Sequence, residues 1–228
     1  MHHDSRMATP EEVRDAVIEK LRAEAERQRA EARGAALLAE QTALELRREQ
    51  RKEQEELTRD KYHKVYVFNG AVTNNSVAAC MTQLNEWSRL EPGCDMEIIF
   101  DSPGGEVIPG MALFDFLRGL RARGHFITTV ALGYAASMAG LLLQAGTQRV
   151  MGREAYVLIH EVSTGAIGKI GEIEDEVKFV KKIQKRVLDI FAERSKKGRE
   201  YFARRWRRKD WWLDSEECLK IGFVDEVR

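Results

Sequence analysis

Four prolines and three cysteines are all that this chain of 228 residues holds of either type. Cys80, Cys94 and Cys218 are odd in number and lack metal-binding spacing, which excludes a disulfide framework and a zinc site as organising elements. Net charge is missing as well. The 37 basic residues balance 37 acidic ones, so no overall field draws the chain to nucleic acid or an anionic membrane. The longest apolar stretch, Val130 to Leu143, is broken by Gly133 and is too short to span a bilayer. Met1-His-His-Asp opens without an apolar leader, so a cytoplasmic protein is expected. What the chain does have is a 43% share of hydrophobic residues, enough to furnish the core of one ordinary domain plus an extension.

The composition changes near residue 60. Thr9-Pro10-Glu11-Glu12 reads as a helix start, with Thr at the N-cap, Pro at the first helical position and Glu at the third. From there to about Asp60 the chain is rich in Ala, Glu, Arg and Gln, with Gly34 its one glycine, which is strong helix composition. Val13, Val17, Leu21 and Ala25 make a narrow stripe, but no sustained heptad follows, so a coiled coil is not specified. A solvated helical arm reads equally well. The expected organisation is a charged helical extension over 1–60 and a folded domain over 61–228.

Beyond the break, strand and helix patterns alternate. Val65 to Phe68, Met96 to Phe100, Phe126 to Leu132, Gln148 to Met151 and Val157 to Ile159 read as buried strands. Helices are expected from about Asn75 to Trp87 and from Gly110 to Arg121. Such β-α repetition predicts an α/β fold with mainly parallel strands. After Gly171 a long amphipathic helix runs to about Lys196, with Ile173, Val177, Val180, Ile183, Val187, Ile190 and Phe191 on one face. A domain of this size has little spare core to cover that face, so burial by another subunit is expected. Arg204 to Trp212 has the basic-plus-aromatic look of a nucleic-acid patch, but its charge is offset elsewhere in the chain, and no nucleic-acid partner is expected.

Three segments carry chemistry. Gly133-Tyr-Ala-Ala-Ser137-Met-Ala-Gly140 sets a serine among small residues between a strand-like and a helix-like run. Catalysis needs such a hydroxyl exposed at a tight turn, beside a base and near backbone donors. Close packing would use the same residues. Ala135 and Ala139 hold the glycine places of Gly-x-Ser-x-Gly, so a hydrolase nucleophile elbow is not expected here. Asp101-Ser-Pro-Gly-Gly105 follows a strand, and its glycines can turn backbone N–H groups toward an anion. His160 ends a buried strand, where it is either a satisfied core residue or a rigidly held general base.

Ser-Pro-Gly-Gly, Ala-Ala-Ser-Met, Ile-His, then Lys-Asp with Asp-Ser-Glu-Glu-Cys and Gly-Phe-Val-Asp, in that order, resemble the proteolytic subunit of the Clp protease. His160 follows Ser137 by 23 residues and Asp210 follows His160 by 50, near the family spacing. The likeness covers roughly residues 62 to 228. It implies a crotonase-like α/β superhelix with a protruding handle helix. It also implies Ser137 as nucleophile, His160 as general base and Asp210 as the carboxylate that orients the base. Gly105 and Met138 match the two backbone donors of the oxyanion hole. Gly165, Gly168 and Gly171 match a glycine-punctuated strand that lies beside bound peptide. The family further implies heptameric or tetradecameric homo-oligomeric rings, peptide or unfolded protein as substrate, an AAA+ ATPase unfoldase as partner, and no metal or cofactor.

The chain also departs from the family. Asp101 replaces an Asn, Glu161-Val162 stands where a Pro is expected, Lys209 replaces an Arg, and Ile99 replaces an aromatic residue of the unfoldase docking pocket. These changes bear on ring contacts and on the choice of ATPase. They would suit a divergent or virus-encoded processing protease. A non-proteolytic structural or regulatory ring subunit is the alternative, and an acyl-CoA enzyme of the wider superfamily would share the paired oxyanion donors without needing all three polar residues.

Overall fold

The computed structural model describes residues 9–228. The reading of residues 1–4 as lacking a leader lies outside them. The chain divides between Thr58 and Arg59 into two compact units. The first is one helix, α1 (Pro10–Leu57), none of whose residues is buried. It opens on a capping box: Thr9 Oγ1 accepts from the Glu12 amide at 3.3 Å, and Glu12 Oε2 accepts from the Thr9 amide at 2.7 Å. These bonds to Thr9 hold the Glu12 carboxyl below its usual range.

The second unit contains β1 (Val65–Asn69), α2 (Asn74–Leu90), β2 (Asp95–Ser102), α3 (Val107–Ala122), β3 (Phe126–Ala136) and α4 (Met138–Leu143). It continues with β4 (Gln148–Met151), β5 (Tyr156–Ile159), α5 (Ile170–Glu193), α6 (Arg199–Trp206), β6 (Trp211–Leu213), α7 (Ser215–Ile221) and β7 (Glu226–Val227). The sheet runs β1-β2-β3-β4-β7, all parallel, while β5 joins the far half of β3 and β6 lies antiparallel on β5. β2 shows why: Met96, Ile98, Phe100 and Ser102 alternate into the core. In the same core α2 buries Val77, Cys80, Leu84 and Trp87, spaced by three and four residues along one helical face.

β3 is longer than its sequence pattern predicts. Between the pairs Phe100↔Ala131 and Ser102↔Ala135 its register shifts, so Leu132 to Tyr134 bulge out with Gly133 at φ +68°. Before the bulge β3 pairs with β4; beyond it, with β5. The bulge therefore carries the strand on to Ala136 and sets the position of Ser137. α3 begins at Val107 rather than at Gly110, because Pro109 falls in the first turn, where its missing N–H costs nothing. Gly110 is needed for space: a Cβ there would lie 2.3 Å from Met138 Cγ.

The apolar face of α5 splits in two. Val187, Leu188, Ile190 and Phe191 are buried in the chain's own core, where Phe191 meets Phe202, Trp206 and Phe223. This corrects the expectation that the whole face awaits another subunit. Ile170, Ile173, Val177 and Phe179, in the first half of the helix, stay exposed. The basic-aromatic segment is largely structural as well. Trp206 is buried, and Trp211 is half-buried against Tyr201 and under Arg205. Among the described residues no helix is long and apolar enough to cross a membrane.

Buried Arg149 ties the carboxy-terminal segment to the sheet. It donates to Gln144 Oε1 at 3.0 Å, to the Gly222 and Phe223 carbonyls, and to the Asp225 carboxylate. Burial pushes the Asp225 pKa up, but the hydrogen bonds from Arg149 outweigh it and leave the pKa below 3.8. Asp225→Asn is expected to cost about 1.5–3 kcal/mol, the range for a hydrogen bond to a charged group. Folding depresses this pKa, so the contribution is present above the unfolded-chain value and is lost as pH falls through the folded-state value. Urea titrations should show the gap between wild type and variant constant near neutrality and closing below about pH 3.8.

Candidate active site

Ser137 sits where β3 gives way to α4, with φ 54° and ψ −117°. Residues bearing a Cβ avoid this region at a cost of about 1–3 kcal/mol, so the surroundings must impose it. The Ser137 amide donates to the Leu158 carbonyl at 2.9 Å, and its carbonyl accepts from the Leu141 amide at 3.2 Å. Ala135, Ala136, Met138 and Ala139 around it are buried, while Ser137 itself stays half-exposed. Strand, strained serine, helix is the geometry of a nucleophile elbow. The sequence excludes the glycine-flanked motif, yet the chain builds the same turn with alanines in the two glycine places.

Gly104 and Gly105 form the facing wall. The Val72 amide donates to the Gly104 carbonyl and the Glu106 amide to the Val72 carbonyl, both at 2.8 Å, and the Ser102 hydroxyl accepts from the Gly104 amide. At Gly104, φ +84°, a Cβ would lie 2.5 Å from the Ala136 carbonyl oxygen and 2.8 Å from both the Met138 amide nitrogen and Ser137 Cβ. At Gly105, φ +149°, it would lie 2.3 Å from the Val72 carbonyl oxygen. The turn is wedged so tightly that no side chain fits. Met138 is the first residue of α4, so its amide is one of the donors a helix leaves unbonded. Gly105, Ser137, Met138 and His160 line one cleft, which holds about 490 Å3 of open space including its mouth. Val107, Leu141, Val162, Val187 and Phe191 add apolar wall, and Glu161 and Ser163 add polar edge.

Gly104 is the residue that sequence reasoning passed over in favour of its neighbour. The signal was there, since two successive glycines after a proline leave both free to adopt positive φ. Gly104→Ala should displace the Ser137–Met138 peptide. We expect kcat on a small peptide to fall about a hundredfold or more, the loss that follows removal of one oxyanion donor, in a protein that still folds by circular dichroism.

His160 follows β5 and is half-buried. Its Nδ1 lies 2.7 Å from the Glu161 carbonyl, which can only accept, so Nδ1 carries the proton and the neutral ring keeps a lone pair on Nε2. That is the tautomer a general base needs. Asp210 precedes β6. The antiparallel pair Ile159↔Trp211 puts His160 and Asp210 at the next opposed positions. Asp210 is exposed, however, and the ring bonds the Glu161 carbonyl instead of its carboxylate. The Glu161 carboxylate accepts from the amide of Arg208, itself at φ 55°. The backbone thus sets Ser137, His160, Gly105 and Met138 around one cleft and places Asp210 opposite His160, while among the described residues the ring makes no hydrogen bond to Ser137 or to Asp210.

Gly165 and Gly168 lie in a segment without strand pairing, and Gly171 falls inside α5. The expected strand is absent from the single chain, because an extended segment needs a partner to hydrogen-bond and here it runs exposed. Among the described residues no group of three or more His, Cys, Asp or Glu side chains could hold a metal ion.

Residues 48–228 match the family model described as Clp protease. An ATP-dependent Clp protease proteolytic subunit from Bacteroides thetaiotaomicron is 30% identical over 166 residues, covering 71% of this chain and 73% of that protein. A corresponding subunit from Deinococcus radiodurans is 30% identical over 164 residues, 71% of this chain and 78% of that protein. Proteolytic subunit 2 from Tropheryma whipplei is 35% identical over 140 residues, 60% of this chain and 76% of that protein.

Proposed function

The chain belongs to the Clp protease family, and from that premise we propose that it is a serine endopeptidase with Ser137 as nucleophile. The observation that carries this reading is the strained turn holding Ser137 in one cleft with His160, Gly105 and Met138. His160 Nε2 takes the hydroxyl proton as Ser137 Oγ attacks the scissile carbonyl. The Gly105 and Met138 amides receive the charge that develops on the carbonyl oxygen. His160 then gives its proton to the leaving amine, leaving an ester on Ser137. Water, deprotonated by the same ring, hydrolyses that ester.

Asp210 has its part once the ring turns its Nδ1–H from the Glu161 carbonyl to the carboxylate, which then steadies the imidazolium. The extended segment with Gly165 and Gly168 pairs with substrate main chain, which favours unfolded peptide over any one side chain. The exposed first half of α5 is covered by other subunits in a homo-oligomeric ring, heptameric or doubled to fourteen, that encloses the cleft. The relatives are named as proteolytic subunits of ATP-dependent Clp proteases, and an AAA+ unfoldase would feed this chain.

One observation favours a second reading. His160 bonded away from an exposed Asp210 is the geometry of a catalytically weak ring subunit. A fluorophosphonate probe separates the two. The protease reading expects stoichiometric labelling at Ser137; an unlabelled but assembled particle would establish the structural subunit instead.

A further inference from the structure

The arm α1 has an eleven-residue pattern where a seven-residue one fails. Positions 13, 17 and 21, repeated every eleven residues, mark thirteen sites along the helix up to Leu57. Of the 48 residues in α1, 23 are charged, yet Glu24 is the one charged residue on those thirteen sites. Val13, Val17 and Leu21 occupy one end. Ala32, Ala35, Ala39 and Ala43 hold the middle, and Leu46 and Leu57 the other end. The remaining three are glutamines.

Eleven residues in three turns is about 3.67 per turn, so the sites stay on one narrow seam with slight right-handed supercoiling. A helix polar on every face needs no such exclusion of charge. Val13, Val17, Leu21 and Leu46 are each more than half exposed among the described residues. At 1.5 Å per residue and one helix width, about 10 Å, the seam offers roughly 700 Å2. That approaches the ~800 Å2 per partner of a stable interface.

We propose that α1 pairs in parallel, along its whole length, with α1 of a second copy of this chain. A seam of this length needs an equally long partner of the same period. Among the described residues the next longest helix, α5, has 24 residues and buries its second half in its own core. The charges along α1, thirteen acidic and ten basic, are intermixed and do not call for a partner of one sign. Parallel pairing puts residues of equal size together: valines and leucines at the ends, alanines at the close middle, each glutamine against its twin. Antiparallel pairing would set Leu21 near Gln50 and Leu46 near Glu24. The one contact that parallel pairing disfavours is Glu24 against Glu24.

The test uses the full chain with a single added cysteine. Ala39 lies at the centre of the seam, Ala30 on the opposite face. Cys80, Cys94 and Cys218 are buried, and burial raises all three thiol pKa values, so they stay silent. Under mild oxidation Ala39→Cys should form an interchain disulfide at least about tenfold faster than Ala30→Cys, because a disulfide requires Cα atoms within about 7 Å. Adding Leu21→Glu and Ala43→Glu to the Ala39→Cys chain should abolish that advantage. Equal rates at the two positions would overturn the pairing, since arms merely held near one another cross-link on any face. An Ala39→Cys chain whose new thiol is shielded from a thiol reagent yet forms no interchain disulfide would also overturn it, by showing a different occupant of the seam.

Discussion

Ser137→Ala is expected to lower kcat for peptide cleavage by about a millionfold, the loss seen when a triad nucleophile is removed. Among the described residues the hydroxyl takes part in no hydrogen bond. What holds the turn is its backbone, through the Leu158 carbonyl and the Leu141 amide. Melting temperature and sedimentation should therefore match the wild type while turnover disappears and probe labelling stops. Turnover close to wild type would remove Ser137 from the reaction altogether.

Asp210→Asn should follow, with a loss on the order of 10⁴-fold in kcat at little change in KM, the cost of a triad carboxylate that no longer fixes the ring. This variant tests more than the identity of the acid. In the single chain the carboxylate is exposed and His160 is satisfied by the Glu161 carbonyl. A ring already held in the base tautomer by that carbonyl would make Asp210 dispensable. A loss below about tenfold would show that the carbonyl, rather than the carboxylate, orients His160 in the working enzyme; a tautomer set wrongly costs far more than that.

The sequence was legible where one local rule decides the outcome. The cap at Thr9 and Glu12 follows from side-chain reach within a single turn, and β4 appears over the residues its apolar run marks. Boundaries moved where a distant residue intervenes. β3 continues past Leu132 because a bulge opposite Phe100 and Ser102 hands the strand from β4 to β5. The last 30 residues hid most. β6 and β7 are three and two residues long, too short to show a period. α7 had its own signal, which went unread: Asp214 and Glu217 form a capping box, and Gly222 closes the helix at φ 72°. At the site, the motifs located the serine, the histidine and the glycine turn. Whether Asp210 reaches His160 depends on where the Arg208 backbone is held, and no sequence pattern encodes that.

The backbone of Ser137 makes the protein less stable than it could be. A glycine would adopt φ 54°, ψ −117° without strain, recovering about 1–3 kcal/mol, less the roughly 0.5–1 kcal/mol that a more flexible unfolded chain takes back. Ser137→Gly should therefore melt about 2–4 °C higher for each kcal/mol gained, with no peptidase activity left. Heat resistance and chemistry pull this one position in opposite directions. A population of variants sorted only for surviving heat would drift toward an inert protein, and would reach it by a single substitution.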